Sequence, residues 1–268
     1  MQKIDPERIF RSVSRDCSLF LLVDINQYSE PQNLLRQLEG LEVRHLFVGT
    51  PFSQLIIQSP RLVELSLQCT DLLNDVCRQL SGCIVASHLP IDKLNQDLGK
   101  MLLADHESDG KVYLRFFMPA MARVILQDSK HTHCWPNCSR LWLPDYRREH
   151  WDEFELNDIN KLQPLSISSH TEQSLKAEHL TYHLARTKHW ISKPIETVKQ
   201  AMQSLALLAV LDSLTVRELN QWSEFMANNS ELLKPASWFS LLHQPISKQE
   251  KWQRAIALND RERELTHD

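Results

Sequence analysis

The stretch from Gly82 to Leu126, GCIVASHLPIDKLNQDLGKMLLADHESDGKVYLRFFMPAMARVIL, indicates the fold class of the chain. Its short apolar run Ile84–Ala86 is typical of a buried strand. Apolar residues then recur at helical spacing from Pro90 to Ala104, and the segment Val112–Phe117 predicts a second strand. A strand, a helix and a strand in this order predict an α/β lobe, in which the two strands could pair in parallel or lie in an antiparallel sheet.

Further short apolar runs extend this pattern through the N-terminal part of the chain. The predicted strands are Leu19–Asp24, Val43–Val48, Pro60–Leu65 and Arg140–Leu143. The predicted helices are Pro31–Leu38, Thr70–Leu80 and Ala120–Leu126. Periodicity fails between about residues 131 and 164, which indicates an irregular segment and a linker. We therefore expect an α/β (α+β) lobe with a mixed sheet over residues 1–155.

The remaining residues, 156–268, predict an all-helical lobe. Apolar residues at helical spacing run from Ile195 to Leu211. Thr215 and Glu218 then have the spacing of a capping box, so we expect a helix to begin at this point. The pair Trp238–Phe239 follows Pro235 in a short predicted helix, and such aromatic pairs often anchor protein interfaces.

Composition excludes several classes of function. The formal net charge is −4, so a general nucleic-acid binder is not indicated. With 5 glycines and no glycine-rich phosphate loop, the chain predicts no nucleotide cofactor. The start of the chain lacks the features of a signal peptide, and the longest apolar run, near Leu205–Leu211, is too short to span a bilayer. We expect a cytoplasmic protein with reduced cysteines and no membrane insertion.

One cluster of residues suggests metal binding. His131, His133, Cys134 and Cys138 offer four potential zinc ligands within eight positions. Structural zinc sites usually take ligand pairs from two separate segments, and no second pair follows, so we interpret the cluster as a polar loop and predict no metal site. His179 and His183 share a predicted helical face, but the order of a metalloprotease motif is absent.

No nucleophile motif is present either, and the chain is predicted not to be an enzyme. A Gly-x-Ser-x-Gly elbow does not occur, and no cysteine lies in a recognisable catalytic context. Asp24 stands at the end of a predicted strand, where a carboxylate most often caps the next turn through its backbone amides.

Five segments of the N-terminal lobe resemble a known family, the effector adaptors or chaperones of bacterial type VI secretion (Tap/TEC), catalogued as domain of unknown function 4123. Their order and spacing match over about residues 17 to 126. The segments are Leu19–Asp24, Leu46–Pro51, Ser59–Leu65, Gly82–Ser87 and Leu114–Pro119. One departure is visible, because Met118 stands where the family usually has an acidic residue before the proline.

The resemblance implies a non-enzymatic adaptor that binds a specific toxic effector and helps to load it onto the VgrG spike protein, which it could contact directly. Such a protein needs a partly apolar cradle, which we expect between the lobes, lined by Arg115, Phe117, Trp238 and Phe239. Two alternatives stay open. The first is a metal-dependent hydrolase that uses His131, His133 and Cys134, and the second is a structural subunit of the secretion machine.

Overall fold

The computed structural model describes residues 3–14, 16–28, 30–127, 135–156, 165–230 and 236–265. They form two compact units, Met1–Ser168 and Ser169–Asp268. The strands are β1 (Lys3–Ile4), β2 (Ser18–Val23), β3 (Val43–His45), β4 (Arg61–Glu64), β5 (Gly82–Ser87), β6 (Leu103–His106), β7 (Gly110–Tyr113), β8 (Cys138–Pro144), β9 (Trp151–Glu155) and β10 (Ser166–Ile167). The helices of the first unit are α1 (Pro6–Ser12), α2 (Pro31–Leu38), α3 (Thr70–Gln79), α4 (Ile91–Gly99) and α5 (Pro119–Gln127).

The N-terminal unit contains two sheets. Seven strands form the large sheet in the order β1-β9-β8-β5-β2-β4-β3, and every neighbouring pair is antiparallel. The small sheet has the order β10-β6-β7, in which β10 is parallel to β6 and β7 is antiparallel to it. The predicted fold class, a mixed α/β lobe followed by a helical lobe, is confirmed.

Strands β2 and β5 lie in the middle of the large sheet, and both of their faces are buried. Side chains alternate across a strand, so Phe20 and Leu22 enter one core while Leu21 and Val23 enter the other. Helices α4 and α5 cover the first face, and α1, α2 and α3 cover the second. Two covered faces explain why these strands appear in the sequence as continuous apolar runs without the alternation of a half-exposed sheet.

The segment Val112–Phe117 corrects the sequence prediction. It is not a second strand beside β5, whose neighbours are β2 and β8. Strand β7 ends at Tyr113 and belongs to the small sheet, and the chain then turns into α5. Phe116 and Phe117 are fully buried and lie edge to face, with ring centroids 5.5 Å apart. The apolar content of the segment therefore comes from a buried turn.

Two further predicted boundaries also change. The helix expected to reach Ala104 ends at Gly99, because Leu103–His106 forms a strand of the small sheet. The strand expected at Val43–Val48 ends at His45, after which the chain turns through Gly49 with a φ of 73°. Strand β9 is not predicted by the sequence at all.

The second unit is helical, with α6 (Ser169–Leu184), α7 (Ile195–Leu211), α8 (Val216–Asn228), α9 (Ala236–Leu242) and α10 (Lys248–Leu265). The predicted capping box is confirmed: the Thr215 amide donates to Glu218 Oε2 at 2.8 Å, and the Glu218 amide donates to Thr215 Oγ1 at 3.3 Å. Two buried indoles also satisfy their N–H groups with serines, Trp190 with Ser223 at 2.9 Å and Trp238 with Ser204 at 3.1 Å.

The division between the two compact units falls between Ser168 and Ser169. Strand β10 pairs with β6, which places Ser166 and Ile167 in the N-terminal unit. Within the described ranges, none of the helices combines the length and the hydropathy needed to cross a bilayer.

A buried ion pair connects α5 to the sheet. Arg123 and Asp152 are 3% and 2% exposed as side chains, and the guanidinium also donates to the Pro144 carbonyl at 2.9 Å. The arginine lies over the Tyr146 ring, 4.3 Å from its centroid. Because the pair is shielded from water, removal of one partner leaves the other charge uncompensated.

Arg123→Met is therefore expected to lower the free energy of unfolding of the N-terminal unit by about 3–5 kcal/mol. Arg44→Met is the matched control in the same unit, because its ion pair with Asp92 lies at the surface, where solvent screening leaves it little effect on stability. Urea titration followed by tryptophan fluorescence measures both. Equal effects of the two substitutions would contradict this assignment.

Candidate partner-binding surfaces

An apolar surface lies beside the carboxyl end of β2, in the segment that leaves the sheet after β3. This segment contains 3₁₀ turns over Ser53–Gln58 and returns to the sheet as β4. Several of its large apolar side chains face solvent. Together with Tyr113 they form what we call the apolar lip: Val48 (57% exposed), Leu55 (49%), Ile57 (83%) and Tyr113 (39%).

Asp24 fixes the lip to the sheet. Its side chain is 2% exposed, and Oδ1 accepts hydrogen bonds from the Asn26 amide at 3.0 Å and from Asn26 Nδ2 at 2.9 Å. The side-chain nitrogen Asn26 Nδ2 also donates to the Gln58 carbonyl at 3.0 Å. The predicted capping role of Asp24 is thus confirmed, and its partner Asn26 extends that role to the end of the lip segment.

Arg115 provides the charge that balances Asp24. Its Nη2 atom lies 2.7 Å from Asp24 Oδ2, and the arginine side chain is 45% exposed. A buried carboxylate is costly unless it is paired and hydrogen-bonded, and Asp24 has both kinds of partner here. The exposed part of the guanidinium adds a cationic group next to the apolar lip.

Aromatic rings pack against Tyr113 of the lip on its core side. Phe52 contacts Tyr113 with ring centroids 4.8 Å apart, and the buried Phe47 lies 5.4 Å from Phe52 and 5.9 Å from Tyr113. Burial raises the pKa of the Tyr113 hydroxyl to about 12, and the nearby Asp24 carboxylate adds to this effect while Arg115 opposes it. Tyr113 therefore stays neutral at physiological pH and can serve as a hydrogen-bond donor.

Hydrogen bonds from side chains to backbone carbonyl groups fix the conformation of the lip segment. His45 Nδ1 lies 3.0 Å from the Ile56 carbonyl oxygen, and the Arg61 guanidinium donates to the carbonyls of Ile57 and Ser59. These bonds hold the carbonyl groups inward, so the side chain of Ile57 points into solvent. A preorganised apolar surface loses little conformational entropy when a partner covers it.

The helical unit has a surface of its own, an aromatic groove between α8 and α10. Two adjoining cavities of about 310 Å³ each share Gln221 and Trp252 in their walls. Trp252 stands edge-on to Trp222, with centroids 4.8 Å apart, and lies 5.2 Å from Phe225. We call these three rings the aromatic groove; Lys248 and Glu218 form an ion pair of 2.6 Å at its edge.

The four residues predicted to bind the partner occupy different environments. Arg115 and Phe239 are accessible, and Phe239 is 43% exposed. Phe117 and Trp238 are fully buried, the latter 6.1 Å from Trp222 at the base of the aromatic groove. Partner binding by these four residues stays a prediction. The buried rings of Phe117 and Trp238 can support a binding surface from within the core, but they are not part of the exposed surface themselves.

The residues considered as possible zinc ligands lie mostly outside the described part of the chain. His131, His133 and Cys134 lie outside the described residues. Cys138 is buried in β8, and its Sγ lies 3.4 Å from the Pro136 carbonyl oxygen. Across the residues that the structure describes, His179 and His183 included, no group of three or more histidines, cysteines or carboxylates is arranged to hold a metal ion.

Sequence comparison finds a family that is similar to the N-terminal unit. Residues 19–134 match the family described as "Domain of unknown function (DUF4123)", from β2 through β7 and α5. This match confirms the resemblance of the five segments to that family.

A curated relative extends the match beyond the domain. The chain is 26% identical over 191 residues to "Accessory protein VasW" of Vibrio cholerae serotype O1 (strain ATCC 39315 / El Tor Inaba N16961). The aligned region covers 69% of this chain and 60% of the relative, so the chain spans about 60% of the length of that protein. No solved structure matches the chain.

Glu218 gives the helical unit an acid-sensitive element. Its hydrogen bond with Lys248, followed by those from the Thr215 amide and hydroxyl, lowers the pKa of the carboxyl from 4.5 to about 2. The lowered pKa means that the folded protein stabilises the ionised carboxylate. This contribution to the stability of the fold is complete above about pH 4.5 and is lost as the pH falls towards 2.

Glu218→Gln should therefore reduce the difference in thermal stability between pH 5 and pH 2.5, measured by circular dichroism. Glu224→Gln removes the same charge from α8 without touching the capping box, and because its own contact, with His189 at 3.8 Å, lies at the surface, it is expected to change the difference less than Glu218→Gln does. A wild-type pH response in Glu218→Gln would show that the capping box does not titrate in this range.

Proposed function

We propose that this chain is a non-enzymatic adaptor of a type VI secretion system, which binds a specific toxic effector and helps to load it onto the VgrG spike protein. The observation that carries the proposal is an exposed and preorganised apolar lip on a DUF4123 domain. The similarity to an accessory protein of Vibrio cholerae supports the same role. The expected location is the cytoplasm, where effector and adaptor would meet before export.

The composition of the lip suits a protein partner. Full burial of one large aliphatic side chain contributes about 1.5–3 kcal/mol, part of which offsets the entropy lost on association. Ile57 and Leu55 present this kind of surface, and the exposed guanidinium of Arg115 lies at its edge. An apolar centre with a polar margin is the usual organisation of a protein interface.

The aromatic groove provides a second contact of a different kind. Tryptophan is enriched among the residues that dominate binding energies, and Trp252 is partly accessible between two cavities. An adaptor needs one surface for its effector and can use another for the spike protein. We assign the lip to the effector and the groove to a second contact, made either with the effector or directly with VgrG.

Ile57→Asp should abolish capture of the effector, because a charge replaces the most exposed apolar side chain of the lip. We expect the recovery of the co-expressed effector to fall at least tenfold, which corresponds to about 1.4 kcal/mol. The measurement is co-purification of the two proteins after co-expression.

Leu67→Asp is the matched control for that experiment. Leu67 is 71% exposed in the same unit, but it precedes α3 and is not part of the lip. Both variants should fold, since neither side chain contributes to the core. Equal recovery with both variants would exclude the lip as the effector surface.

The two alternative functions predict different results in the host. Deletion of the gene for an adaptor should stop export of one effector, whereas loss of a structural subunit would stop export of all effectors. A metal-dependent hydrolase using His131, His133 and Cys134 would contain stoichiometric zinc after purification. We expect the loss of a single effector, measured by secretome mass spectrometry, and a metal-free protein by elemental analysis.

A further inference from the structure

A cysteine and a histidine meet at the opposite end of the central strands from Asp24. Cys17 directly precedes β2, and His88 directly follows β5. Because these strands are antiparallel, with Ser18 opposite Ser87, the two residues are brought to the same edge of the sheet. Cys17 Sγ lies 3.2 Å from His88 Nδ1, within hydrogen-bond distance for sulfur.

The surroundings of Cys17 favour the thiolate. Partial burial by itself raises the pKa of this thiol, but hydrogen bonds with Ser14, His88 and Ser139 outweigh that effect and leave the pKa below its ordinary value. The same three residues come from the start of the chain, from the end of β5 and from β8. A thiolate is the nucleophilic form of cysteine, and a neighbouring imidazole is a common means of stabilising it.

The other described cysteines are buried, and the thiols of two of them have a raised pKa. Cys69, Cys77, Cys83 and Cys138 are buried, whereas Cys17 is partly exposed. Burial raises the pKa of Cys77 to about 12 and that of Cys83 well above its ordinary value. Among the cysteines that the structure describes, accessibility and thiolate character therefore coincide at Cys17.

We propose that Cys17 and His88 form a thiol-exchange site, at which Cys17 takes up one half of a small-molecule disulfide. The Cys17 thiolate attacks one sulfur of the disulfide, and a new S–S bond forms to Sγ as the original S–S bond breaks. The departing thiolate carries away the bonding electron pair and takes a proton, so that Cys17 is oxidised and the released thiol is the reduced product. A small disulfide such as oxidised glutathione is the only co-reactant required.

The position of the site makes such a modification compatible with the fold. Cys17 lies outside the hydrogen-bonded register of β2 and β5, which begins at Ser18. An adduct on Sγ would displace the contact with His88 and leave the strand pairing in place. The apolar lip is fixed at the other end of β2, through Asp24, so modification would mark the protein without covering that surface.

The test uses the full-length chain with Cys134→Ser, which removes the cysteine that lies outside the described residues. This protein is incubated with oxidised glutathione between pH 6 and pH 9, and adducts are located by intact-mass and peptide mass spectrometry. We expect one adduct per chain, at Cys17, which a reducing agent reverses. The rate should rise with pH around a midpoint below that of free cysteine, measured in parallel.

His88→Gln tests the role of the imidazole. For each unit by which the thiol pKa rises, the thiolate fraction at neutral pH falls about tenfold, and greater nucleophilicity recovers roughly a factor of three, so the rate falls about threefold. Ser139→Ala is a second variant with the same expected direction, and Cys69→Ser is the control that should leave rate and midpoint unchanged. Absence of the Cys17 adduct, or an unchanged midpoint in folded His88→Gln, would overturn the proposal.

Discussion

The close approach of β2 and β5 is the constraint on which the N-terminal unit depends. A Cβ atom at position 82 would overlap the carbonyl oxygen of Leu22 and come within 3.0 Å of the Val23 Cα, so the two backbones can approach only with glycine there. The Asp24 amide donates to the Ser81 carbonyl at 2.7 Å beside this contact. The pairing of the two strands thus holds the Asp24 carboxylate in a buried position, and Asn26 and Arg115, which bind it, connect it to the surrounding surface.

Arg115 and Asn26 both bind the Asp24 side chain, which therefore links distant parts of the chain. Arg115 comes from the segment after the small sheet, and Asn26 passes the contact to Gln58 at the end of the lip. The family resemblance includes the strand that ends at Asp24 and the segment that contains Arg115, and their ion pair gives both segments a shared physical role. Met118, at the position that is usually acidic, is only partly buried and packs against the core, so this core accommodates an apolar side chain there.

Local signals in the sequence were sufficient for many elements and insufficient for their arrangement. The strand at Arg61–Glu64, the helix Thr70–Gln79 and the capping box at Thr215 all follow from patterns within about ten residues. The ion pair between Asp24 and Arg115 joins residues 91 positions apart, which no local pattern contains. Phe117 and Trp238 show a related limit, because a large aromatic side chain is equally suited to an interface and to a core, and burial alone distinguishes the two.

The pairing of β10 with β6 has a consequence for the order of events during translation. The first strand of the large sheet begins at residue 3, yet the small sheet is complete only when Ser166 and Ile167 have been made. At about 5–20 residues per second, roughly 8–33 s separate these two ends of the unit on the ribosome. For the last part of that interval, about 3–12 s between His106 and Ser166 at the same rate, β6 has an unpaired edge, and the nascent chain exposes a site for strand addition that its own later residues must close.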